Sequence, residues 1–274
     1  MAVAFETIQT ATNNASGLTI TKPTGLALGD FMVAGLTVSG NTNPVLSAPA
    51  GWDLLNTKTI KANQARTSIF TKVAEASDVS ATNFSFGGST AGTGFVVVGF
   101  VMRISDYGIQ SGFVTADGDN TTLSTGDMTP TRSNNLMVII TASASASDVS
   151  PPTSSGYELD ANNPTWTERA DVGLNNTDMG TIAVATATRP EATAIGSASF
   201  TLSESKNLSI SLLSLSSSAS GSITPETKAN IYALNPIPKT GLDIIVTEPN
   251  ASISNPALWK NQSKPNTNWN NLPK

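Results

Sequence analysis

Short runs of β-branched and aromatic residues, each bounded by Gly, Pro, Asn or Ser, recur along the chain, and almost no stretch has helical period. The pattern predicts strands over Asp30 to Thr37, Arg66 to Val73, Asn83 to Phe86, Phe95 to Ile104, Asn135 to Thr141, Gly180 to Ala187, Ser197 to Leu202 and Asn207 to Leu215. In Ser209-Ile210-Ser211-Leu212 and Ser214-Leu215-Ser216 the hydroxyls fall on one side and the aliphatics on the other. That alternation predicts antiparallel sheets with one face buried and one face wet.

The second half of the pattern restates the first. Phe31-Met32-Val33-Ala34, entered through Lys22-Pro23-Thr24, matches Leu136-Met137-Val138-Ile139, entered through Thr129-Pro130-Thr131. Trp52 then matches Trp166, Thr67 to Ala74 matches Gly180 to Ala187, and Asn83-Phe84-Ser85-Phe86 matches Ser199-Phe200-Thr201-Leu202. Phe95 to Ile104 and Asn207 to Leu215 close the two halves. Such order predicts a duplication, either two sandwich units of about 100 residues or two half-repeats sharing one jelly-roll core. The expected fold is all-β: two tandem antiparallel, jelly-roll-like β-sandwich units, 1–106 and 107–216, followed by a linker, short strands and an extended arm over 217–274.

From Ser216 to Ser222 the chain has linker composition, and its end is a Pro/Asn-rich tail. There Trp259, Asn261 and Lys264 recur as Trp269, Asn271 and Lys274. A segment this polar gains order most simply on a partner, with the two Trp residues as anchors. Lys239, Lys260, Lys264 and Lys274 make this end basic against an acidic body, which favours an acidic partner.

Composition removes whole classes of chemistry. The 274 residues include no Cys and no His, which excludes disulfides, thiol nucleophiles, imidazole ligands and a Ser-His-Asp triad. Only 13% of residues are charged, and 33 Ser, 36 Thr and 24 Asn supply the polarity. A net charge of −5 offers no footprint for a phosphate backbone, so no nucleic-acid partner is expected. The start lacks a signal-peptide pattern, and the longest apolar run, Phe95 to Met102, is far shorter than the roughly 20 residues of a membrane helix. The expectation is a protein soluble as made, without membrane insertion.

Few residues are candidates for chemistry. Trp52 and Trp166 could stack on a sugar, although a Trp repeated at one position of duplicated sandwiches reads better as a core plug. Asp117-Gly118-Asp119-Asn120 begins like a calcium loop, but Thr121 and Met128 stand where further ligands belong, so a plain turn is expected there. Glycoside cleavage needs two carboxylates, and among Glu158, Asp160, Glu168 and Asp171 no pair stands out. Ser263 and Lys264, in the low-complexity tail, give no Ser-Lys site. No catalytic residue and no cofactor is expected.

The order Pro-Thr-Gly, Gly-Asp-Phe-Met-Val-Ala, Pro-Ala-Gly-Trp, Ser-Ile-Phe-Thr-Lys-Val-Ala, Asn-Phe-Ser-Phe and Val-Gly-Phe-Val-Met-Arg-Ile-Ser-Asp-Tyr resembles β-sandwich repeats in virion proteins of tailed bacteriophages, over roughly residues 18 to 216. The Trp-x-Asn-x-x-Lys tail is similar to short repeats closing other phage structural proteins. The resemblance implies a non-enzymatic virion component, a capsid decoration or a head or tail appendage, made in the bacterial cytoplasm and oligomeric. Its implied partners are other virion proteins, met through Trp259, Lys260, Asn261, Lys264, Trp269, Asn271 and Lys274. The alternative is a tail-tip or fibre module binding host glycan through Trp52 or Trp166, and a weaker one is a bacterial surface adhesin.

Overall fold

A computed structural model of the chain describes residues 2–40, 45–61, 65–89, 96–145, 154–159, 165–175, 179–190, 192, 194 and 197–217. The 217–274 arm, with every partner-binding candidate named above, lies outside the described residues apart from Ser217. The fold is an all-β sandwich of antiparallel sheets, and the described residues form one compact unit.

The first repeat holds β1 (Ala4–Asn13), β2 (Leu18–Thr21), β3 (Phe31–Ser39), β4 (Val45–Ser47), β5 (Asp53–Lys61), β6 (Ala65–Val73), the short helix α1 (Ala76–Ser80), β7 (Asn83–Ser89) and β8 (Val96–Ser105). The second holds β9 (Ile109–Ser124), β10 (Asn135–Ser145), β11 (Ser154–Leu159), β12 (Thr167–Asn175), β13 (Met179–Arg189) and β14 (Ala198–Ser216). A five-stranded sheet, β1-β8-β3-β6-β5, is covered by a three-stranded one, β2-β7-β4. The second repeat keeps the same order in β9-β14-β10-β13-β12. Its covering layer comes from the far end of β9 and the near end of β14, paired through Thr122 and Thr201, with β11 alongside.

The equivalence holds residue by residue. Pairing register aligns Phe31 with Leu136, Ile104 with Leu215, Ile69 with Val184 and Phe84 with Phe200. Gly29 and Asn134, at the turns entering β3 and β10, both have positive φ (87° and 55°), a conformation Gly and Asn tolerate best. Exposed hydroxyl pairs recur as well, Thr19 with Ser85 at 3.1 Å and Thr122 with Thr201 at 3.2 Å. One sequence match needs correction. The register puts Thr67 opposite Thr37 and Ile182 opposite Ala142, so Thr67 corresponds to Ile182 rather than to Gly180. A slip of two residues keeps every side chain on its face, which is why sequence pattern alone could not detect it.

Three cores separate the layers. One lies between the first large sheet and its cover, around Ile20, Met32, Phe70, Trp52 and Phe86, and its counterpart in the second repeat gathers Leu123, Ile139, Phe200 and Leu212. The third lies between the two large sheets, where Val33, Val98, Phe100 and Met102 meet Val138, Ile140, Ile182 and Leu213. Both faces of the central strands are therefore covered, and every residue of β3 is buried. The expected wet face is absent from the hydroxyl-bearing strand: Ser209, Ser211, Ser214 and Ser216 are all buried. The second large sheet, rather than water, covers Ser209 and Ser211, whereas Ser214 and Ser216, on the other side of the strand, bond to Ser111 and Asn135.

Candidate functional site

Polar side chains inside this body are tied to structural positions. Asp30, at the entry to β3, accepts hydrogen bonds from Arg103 Nε (2.5 Å) and the Ala27 amide (2.7 Å). The equivalent position of the second repeat is Asn135, and Arg103 is replaced there by Ser214. Asn135 Oδ1 accepts from both Ser111 and Ser216 at 2.7 Å, and Ser111 lies 2.7 Å from the Ser214 hydroxyl. One repeat thus closes its strand entry with an ion pair and the other with a neutral network, each satisfying groups that burial would otherwise penalise. A second buried pair, Lys72 with Asp78 at 2.9 Å, ties β6 to α1, with Glu75 a further carboxylate 3.5 Å from the amine. These pairs were not anticipated from sequence, although a lone Arg103 in the apolar β8 is itself a request for a carboxylate.

Trp52 is buried, 9% exposed, with its ring edge-to-face against Phe84 and Phe86, both at 5.5 Å between centroids. In that position the indole offers no open face to a sugar. Trp166 occupies the matching place before β12 and packs, half-buried, against the core of the second repeat.

The stretch from Asp117 to Asn120 is strand, not the expected turn: Asp117 is paired with Ser209 and Asn120 with Lys206. Long pairing to β14 outweighs the local turn preference of Asp-Gly and Asp-Asn. Asp117 makes a 2.8 Å salt bridge with Lys58, and among the described residues no three acidic side chains gather around one point. The side chains of Glu158 and Asp119, and all of Asp160, lie outside the described residues.

Glu168 and Asp171 share the edge strand β12. Partial burial, reinforced by the charge of Asp171, raises the Glu168 carboxyl above its ordinary value. Beside it Arg169 lies 4.2 Å over the Phe5 ring and donates to Thr186 Oγ1 at 2.7 Å, and burial lowers its pKa.

Two clefts open in this region, the first at the seam between β1 and β12 and the second beside the start of β10 and the end of β13. One, of about 240 Å³, is lined by Phe5, Thr167, Arg169 and Thr188; the other, of about 300 Å³, by Val3, Asn135 and Arg189. These volumes stand at or below the lower end for small-molecule sites. Arg169 spends its guanidinium on Phe5 and Thr186, so the seam is a joint between repeats.

The outer strands share one more feature. Register breaks interrupt β1 between Phe5 and Thr7, β5 between Leu54 and Asn56, β12 between Glu168 and Ala170, and the β9 pairing opposite Ser214 and Leu215. The central pairs, β3 with β6 and β8 and β10 with β13 and β14, run without a break. Bulges on these edge strands twist them away from a further strand.

The fold and these contacts define a duplicated all-β sandwich body. Comparison with known protein families, with curated proteins and with solved structures finds no match.

Proposed function

We propose that this protein is a non-enzymatic structural component of a tailed-phage particle, a surface decoration or a head or tail appendage, that joins other virion proteins through its C-terminal arm. The observation that supports this most is the set of bulged edges around a dry, layered body. A body built this way is rigid and resists growth by strand addition, so attachment falls to its faces or to the chain end. The sequence supplies a suitable end in its repeated Trp, Asn and Lys positions, and the resemblance to phage β-sandwich repeats supplies the setting. An arm that orders only on its neighbour links its folding to incorporation.

The test is deletion of residues 250–274. The expected product keeps the circular dichroism and melting of the body but fails to enter particles; normal incorporation would overturn the proposal. Antibody against residues 1–216, seen by electron microscopy on intact particles, then distinguishes head from tail.

A further inference from the structure

We infer that the two repeats are a fused dimer: the large-sheet face of each is a pairing surface for the other, and the covalent connection is dispensable for their association. Across the central core β1 faces β12, β3 faces β10 and β13, and β5 faces β9 and β14. Because β1 corresponds to β9 and β5 to β12, this is the order that two copies of one sheet adopt about a two-fold axis.

The chemistry of the contact is that of an obligate interface, with a dry centre and a polar rim. Its buried centre is mainly apolar, built from Val, Ile, Leu, Phe, Met and Ala side chains. At one margin Lys58 pairs with Asp117 and Asn56 donates to Thr115 at 3.4 Å; at the other Arg169 lies over Phe5. Each of these contacts joins one repeat to the other.

The two faces have also become complementary. Gly35 pairs with Phe100 in the first repeat, and the equivalent pair in the second is Ile140 with Ser211. Large and small have exchanged strands, and Ile182 of the second repeat reaches to within 3.0 Å of where a β-carbon on Gly35 would stand. The connection itself is short: Asp106, Tyr107 and Gly108, between β8 and β9.

The test inserts a site-specific protease sequence between Asp106 and Tyr107 of the full chain. After cleavage the halves are expected to co-elute at the size of the uncut protein, and the melting temperature, independent of concentration before the cut, is expected to fall on dilution after it. Separation of the halves, or a melting temperature that stays independent of concentration, would overturn the inference. Native-state hydrogen exchange on the unmodified chain provides a reading that needs no insertion. The amides of β3 and β10 are expected to share one opening reaction, and exchange of β3 while β10 stays protected would count against the fused dimer.

Discussion

Phe100 covers the bare backbone of Gly35: a β-carbon built at Gly35 would stand 2.6 Å from the Phe100 ring, a separation no real side chain adopts. The absence of a side chain at Gly35 is thus part of how the first repeat seats this ring. Gly35→Ile should overpack this point and cost about 2 kcal/mol or more. Adding Phe100→Ser recreates the Ile and Ser pair of the second repeat and should recover part of the loss. Denaturant unfolding of the two single variants and the double variant measures the coupling, and strictly additive effects would show that the exchange of sizes is not compensatory.

Asp30 and Arg103 form an ion pair where the second repeat manages with Asn135 and Ser214. Asp30→Ala leaves Arg103 without its carboxylate in a largely buried setting and should cost about 3 kcal/mol. The double replacement Asp30→Asn with Arg103→Ser should cost less than Asp30→Ala alone, because no stranded charge remains. Urea unfolding decides it.

Trp52→Ala removes a buried indole from between Phe84 and Phe86 and should destabilise by roughly 3 kcal/mol, through the cavity it leaves. Trp166→Ala, at a half-buried site, should cost less. Calorimetry separates the two. A Trp52 variant of unchanged stability would mean that the ring is not core.

Glu168 carries a carboxyl raised by burial and by Asp171, so the folded state holds its proton more tightly than the unfolded state. The resulting stabilisation is full below the unfolded pKa and is lost as pH rises through the higher folded value. Glu168→Gln should therefore leave stability at pH 7 equal or slightly higher and flatten its decline between the acid range and neutrality. Melting temperatures across pH 3 to 8 check this, and a steeper decline in the variant would contradict the assignment.

Lys58 and Asp117 join the repeats at a partly exposed rim. Asp117→Asn should change stability by less than about 1 kcal/mol, with the difference shrinking as salt is added. Melting at two ionic strengths measures it.

The strands with the densest β-branched content, such as β3, β6, β8 and β10, were legible in the chain because their own residues demand burial on a pleated surface. The edge strands β1, β5 and β12 were not. Thr7, Thr57 and Lys58 look like loop polarity until a neighbouring strand supplies hydrogen bonds to their backbones. The candidate chemistry was readable only as residue types: nothing local to Trp52 says that two Phe rings from β7 will close over it, and nothing local to Asp117 says that Lys58 will meet it from the other repeat.

By itself, then, the sequence determined the all-β class, the order of the repeated landmarks and the exclusion of thiol and imidazole chemistry, since these follow from composition and period. The tertiary structure decided which faces are dry. Alternation marks two sides of a strand but cannot say what lies against the second side. For Ser209 and Ser211 the answer is the opposite large sheet rather than water, because only the packing of the two repeats brings that sheet into place.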